Sequence, residues 1–158
     1  MQTRGVAIRL IAAAPLIACG MGVICAAPAR ADDDKDARGR KCSNETLEGS
    51  YALTIEGLLA VPGPGIPLRG VVLQRYDGDG NITQVDHVVV NGTPPTEAWR
   101  PGTGTYSVNA DCTGTETLNI PSSGGPPVVV YFVVAKHGKE IRQVVEGNAA
   151  TATGDKVE

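Results

Sequence analysis

Cys42-Ser43-Asn44-Glu45-Thr46-Leu47-Glu48-Gly49-Ser50-Tyr51 is the stretch on which the reading of this 158-residue chain turns. It leads into the first segment with a two-residue period: Tyr51, Leu53 and Ile55 fall on one face and Ala52, Thr54 and Glu56 on the other. That alternation is the mark of a half-buried β-strand. The stretch also carries a cysteine whose counterpart, Cys112, lies in the turn Asn109-Ala110-Asp111-Cys112-Thr113-Gly114.

Upstream, Arg4 and Arg9 precede an apolar run from Leu10 to Ala27, and Ala29-Arg30-Ala31 has the small-x-small form of a cleavage site. Residues 1–31 therefore read as a secretory signal peptide, with the mature chain starting at Asp32. Pro15, Gly20 and Gly22 in the apolar run speak against a membrane span. Leu16-Ile17-Ala18-Cys19 offers an alternative, a lipobox with Cys19 as a lipid-bearing first residue. Residues 32–46, opening Asp-Asp-Asp-Lys-Asp-Ala-Arg-Gly-Arg-Lys, read as a charged, disordered leader that ends in the Cys42 anchor. Residues 47–158 are expected to form one domain.

Export leaves two of the four cysteines, so Cys42 and Cys112 are expected to form a disulfide rather than a metal or redox pair. Losing Arg4, Arg9 and Arg30 leaves 11 cationic side chains against 17 acidic ones, a net charge of −6. This balance excludes nucleic acid and anionic membrane surfaces as expected partners. Aromatic residues make up only 4% of the chain, so the core must come mainly from Val, Ile and Leu, which suit strands.

Further segments of strand length follow, bounded by turn residues: Leu68–Tyr76, Ile82–Val90, Gly102–Asn109, Thr115–Ile120, the continuous apolar run Val128–Ala135, Glu140–Glu146 and a closing strand in Asn148–Val157. Asp77-Gly78-Asp79-Gly80-Asn81 makes the second and third a hairpin. It resembles the start of a calcium loop, but Ile82 and Val88 stand where that loop needs Gly and a carboxylate. The loop Asn91–Pro101, with the lone Trp99, has no clear assignment. Eight strands without a helical period predict an all-β fold, an eight-stranded antiparallel up-and-down or meander barrel. A barrel of that size is filled by its own side chains or holds one small ligand.

The patterns Cys-Ser-Asn-x-Thr-Leu-x-Gly-Ser-Tyr, Tyr-Asp-Gly-Asp-Gly-Asn, Gly-Thr-Tyr-Ser-Val-Asn-x-Asp-Cys-Thr-Gly-Thr and Gly-Lys-Glu-Ile-Arg resemble a group of small exported bacterial proteins of unknown function. The resemblance implies a lipocalin-like or allene-oxide-cyclase-like β-barrel. It carries over no catalytic residue, and Glu116 stands where those proteins tend to have an apolar residue.

No serine-hydrolase elbow, zinc-protease helix or phosphate-binding loop occurs, and no metal site or cofactor is expected. His137 falls in a turn, while His87 lies in a strand between Val85 and Val89. Alternation puts Glu116 on the face of Leu118 and Ile120, pointing into the barrel. The residues expected beside it, should it read a ligand, are Tyr51, Tyr106, Phe132 and Gln143. Three functions stay open at this point: a barrel binding a small, mostly apolar molecule; a solid-core structural or surface-interaction module; and a cyclase-type enzyme using Glu116 or His87 as acid or base.

Overall fold

Eight segments become eight antiparallel strands: β1 (Gly49–Leu59), β2 (Ile66–Tyr76), β3 (Asn81–Val90), β4 (Arg100–Val108), β5 (Thr113–Asn119), β6 (Val128–Ala135), β7 (Glu140–Val145) and β8 (Ala149–Lys156). Each pairs with the next in sequence, and β8 returns to β1, which closes the barrel and leaves no unpaired edge. This computed structural model describes residues 41–157. The expected signal segment 1–31, with Cys19, and the leader through residue 40 lie outside the described residues. Among the described residues no helix is long and apolar enough to cross a membrane.

β1 continues through Gly57 to Leu59, and Gly57 makes this possible because a Cβ there would lie 2.2 Å from the Ala149 carbonyl oxygen of the neighbouring β8. β4 starts at Arg100, inside the loop that the sequence left unassigned.

Inward positions divide the lumen into two halves. At one end Leu47, Tyr51, Leu53, Tyr76, Ile82, Tyr106, Phe132 and Ile141 pack in a buried cluster, which Leu118, Val130 and Ala152 continue upward to the wall of the open half. Tyr76 stands edge-on to Tyr51 and Tyr106, with ring centroids 5.4 and 4.9 Å apart, a geometry that adds attraction beyond the area buried. The Phe132 ring lies over Gly114, where an added Cβ would come within 2.2 Å of it.

The leader read as disordered through Thr46 ends earlier than that. Asn44–Leu47 form a 3-10 turn, and Leu47, fully buried, stoppers the packed end. Asn44 fixes the stopper by accepting from the Val108 amide at 2.8 Å through its side chain and from the Tyr106 hydroxyl at 3.1 Å through its carbonyl. The Tyr51 hydroxyl donates to the Gly138 carbonyl in the β6–β7 turn at the same end. Cys42 and Cys112 are joined, their Cα atoms 5.0 Å apart, tying the stopper to the β4–β5 turn as the sequence predicted.

The apparent calcium loop is a turn that satisfies itself. Asp77 accepts from the Asp79 and Asn81 amides at 2.8 and 2.9 Å and from the Asn81 side chain at 2.6 Å. These bonds hold its carboxyl below the usual range.

Candidate functional site

Beyond the packed cluster the lumen is open. A cavity of about 520 Å³ runs from the middle of the barrel to the mouth formed by Pro94–Glu97 and Ser122–Ser123. Its walls are aliphatic, with Ile55, Leu68, Val72, Val88, Val128 and Val145 among them. Room exists because β8 turns only Ala150 and Ala152 into it. The volume falls within the range of about 300–1,000 Å³ usual for small-molecule sites.

Its floor is polar and begins at Glu116 on β5, which is 1% exposed. One carboxylate oxygen accepts from Gln74 Nε2 at 3.1 Å and Gln143 Nε2 at 3.2 Å; the other accepts from the Tyr76 hydroxyl at 2.7 Å. Tyr76 thus stands between two roles, its ring in the packed cluster and its oxygen in the floor. Gln143 Nε2 also reaches Gln74 Oε1 at 3.0 Å and the Tyr76 oxygen at 3.2 Å.

From the floor a hydrogen-bonded line climbs the wall. Gln74 Nε2 donates to Gln84 Oε1 at 3.1 Å, Gln84 Nε2 donates to Asp86 at 3.1 Å, and Arg100 Nε donates to the other Asp86 oxygen at 2.7 Å. Among the described residues Arg100 is the one cationic side chain of the cavity lining. Among the described residues no enclosed side-chain nitrogen or oxygen lacks a partner, which is what burial of polar groups requires.

Burial pushes the Glu116 carboxyl up to about 7, against the opposing pull of the Tyr76, Gln74 and Gln143 bonds. Desolvation, with Glu116 next to it, drives the Tyr76 phenol well above its ordinary value. Tyr51 is pushed up to about 12, again chiefly by burial. The tyrosines therefore remain neutral donors at any ordinary pH, while Glu116 changes charge near neutrality.

Of the six residues singled out from the sequence, Glu116, Leu118 and Gln143 line the cavity. Tyr51, Tyr106 and Phe132 point inward too, but belong to the packed end, below the floor. Period-two alternation tells the inside from the outside and carries no depth, so it could not separate these two sets. His87, the second candidate acid or base, is on the outer surface: its Nδ1–H donates to the Ala98 carbonyl at 2.6 Å, and its ring lies 6.1 Å from that of Trp99. Its neighbour Asp86 faces inward instead and is 2% exposed. His137 occupies an exposed turn with φ of 58°.

Gln74, Tyr76, Gln84, Asp86 and Arg100 were missed as site residues. A signal was there for four of them: Gln74 shares a face with Tyr76 in β2, and Gln84 and Asp86 share one with Ile82 in β3, three polar side chains on faces that also carry the core.

No protein-family model and no curated protein matches this chain. Among solved structures it is similar to one described as "Structure of a redesigned beta barrel, mFAP1, bound to DFHBI". The two share 15% identity over 72% of this chain and 97% of that one, with a TM-score of 0.48, a likeness too distant to bear on what this chain binds.

Proposed function

We propose that this protein is an exported carrier of one small, mostly apolar molecule, held in the open half of the barrel with its polar end against Glu116, Gln74 and Gln143. The observation that carries this reading is the cavity: about 520 Å³ of aliphatic-walled space ending on a buried, hydrogen-bonded polar floor. A barrel needing only a core would gain from filling that space, since apolar burial stabilises by about 25 cal/mol per Å². Small Ala side chains at positions 150 and 152 keep it open. The Cys42–Cys112 bond suits an oxidising, extracytoplasmic compartment and supports export.

A second reading, a surface-interaction module, draws on the outer wall, where Val71, Leu73, Tyr131, Val133 and Val144 are exposed. Extraction of the purified protein with organic solvent, followed by mass spectrometry, should release a small molecule in stoichiometric amount. Ala150→Phe, which fills the lumen from β8, should abolish that recovery while the barrel keeps its circular dichroism. Equal recovery from the filled variant would refute the lumen site and favour the outer wall.

A further inference from the structure

The hydrogens of the cavity floor are all engaged, while its acceptors are not. Tyr76 brings one hydrogen and Gln74 and Gln143 two each. Those of Gln74 go to Gln84 Oε1 and Glu116; those of Gln143 are shared among Gln74 Oε1, the Tyr76 oxygen and Glu116; that of Tyr76 goes to Glu116 or, at 2.8 Å, to Gln74 Oε1. The orientation of the Gln143 amide follows from its surroundings, because the Glu116 and Gln74 oxygens beside its nitrogen can only accept.

Acceptors remain over. An ionised carboxylate offers about four lone-pair sites, and three donors reach Glu116. Gln143 Oε1 accepts no hydrogen bond among the described residues, and since no enclosed polar atom there is orphaned, it faces the open lumen. Arg100, the cation of the lining, pairs with Asp86 through Nε and stands up the wall, separated from the floor by Gln84 and Asp86.

Resting on the lumen-carrier reading, we infer that the floor selects molecules whose buried end is a hydrogen-bond donor, an alcohol, phenol or amine on an apolar body, and rejects carboxylates. An entering hydroxyl or ammonium meets the spare lone pairs of Glu116 and Gln143. A carboxylate entering as far as the floor finds no free hydrogen on Gln74, Gln143 or Tyr76 and stands beside the Glu116 carboxylate, an arrangement in which one of the two must take up a proton. Other titratable groups near Glu116 do not alter this balance. Tyr76 on β2, Tyr51 on β1 and Tyr106 on β4 all have phenols raised by burial, and Asp86 on β3 is paired with Arg100. β6 and β7 present Val130 and Gln143, which carry no charge.

Isothermal titration of the mature protein with 1-octanol, octylamine and octanoate at pH 8 tests the inference. These probes share one apolar body and differ in the head group. Octanol and octylamine should each bind at least tenfold more tightly than octanoate. Octylamine binding near pH 7 should also release protons, seen as a dependence of the heat on the buffer's ionisation enthalpy, because an ammonium favours ionised Glu116. Glu116→Gln should erase the proton release and weaken octylamine more than octanol. Octanoate binding as tightly as either donor would overturn the donor preference and leave the carrier reading standing. Failure of all three probes would overturn both. Should Glu116→Gln not fold, the head-group ranking and the proton release of the unaltered protein still decide the matter.

Discussion

At the closed end of the barrel Leu47 and three tyrosines fill the lumen, whereas at the open end the same strands carry Val, Ile and Ala and leave about 520 Å³ unfilled. The closed end is where cross-chain restraints gather: the disulfide, the Asn44 bonds and the Tyr51 hydroxyl bond. The open end has Pro- and Gly-rich loops at its rim. The difference teaches that one barrel can separate stability from binding along its axis, with the layer from Tyr76 to Glu116 as the boundary. Packed residues hold the cylinder closed below, and space above stays available because the fold does not depend on filling it.

The strongest way to break this division is to cut the restraint at the closed end. Treating the 70-residue separation of Cys42 and Cys112 as loop-closure entropy gives about 4 kcal/mol. Cys42→Ser with Cys112→Ser should lower the denaturation free energy by that order, measured by urea titration, with the loss the same whether or not the cavity is occupied. A loss below about 1 kcal/mol would mean that the hydrogen bonds around the stopper suffice without the bond.

The boundary layer supplies the next effect. The Glu116 carboxyl sits at about 7 in the folded protein against 4.5 without burial. Between those values the folded chain holds a proton that the unfolded chain has lost, so stability falls as pH rises through the window. Below it both states are protonated and the penalty vanishes; above it the full difference, about 3 kcal/mol, is in force. Urea midpoints measured from pH 4.5 to 8 should decline more for the wild type than for Glu116→Gln, which has no carboxyl to ionise there. Parallel curves would mean that lumen water solvates the carboxylate.

Paired truncations at the two ends give the smaller effects. Leu47→Ala empties a fully enclosed position and should cost roughly 2–3 kcal/mol. Val128→Ala, at the cavity wall, enlarges a space that already exists and should cost about 1 kcal/mol or less. Comparable losses at both sites would erase the distinction between a structural and a binding half.

Much of this was legible in the chain. The strand set, the closing order and the partnership of Cys42 with Cys112 follow from alternation, turn residues and cysteine count, because a two-residue period and a Gly- or Asp-bearing turn are properties of neighbouring residues. Glu116 was visible for the same reason, as one carboxylate on an otherwise apolar face. The inward face of the continuous run Val128–Ala135 was not, since every residue in it is apolar. Only pairing with β5, Glu116 opposite Val130 and Gly114 opposite Phe132, turns Val130 and Phe132 inward and leaves Tyr131 and Val133 outside.

What the sequence by itself determined is which residues alternate, which stretches turn and which side chains are able to face a lumen. What the tertiary structure alone decided is height along the barrel axis. Tyr106 and Glu116 are cross-strand partners and both inward, yet the long tyrosine side chain reaches down to the Asn44 carbonyl while the carboxylate meets Gln74 and Gln143 above. Side-chain reach and the stagger of eight paired strands set that depth, and both depend on residues far apart in sequence. The same cause hid the floor: Gln74, Glu116 and Gln143 are unremarkable singly, and become a site only because the closed sheet brings β2, β5 and β7 to one level.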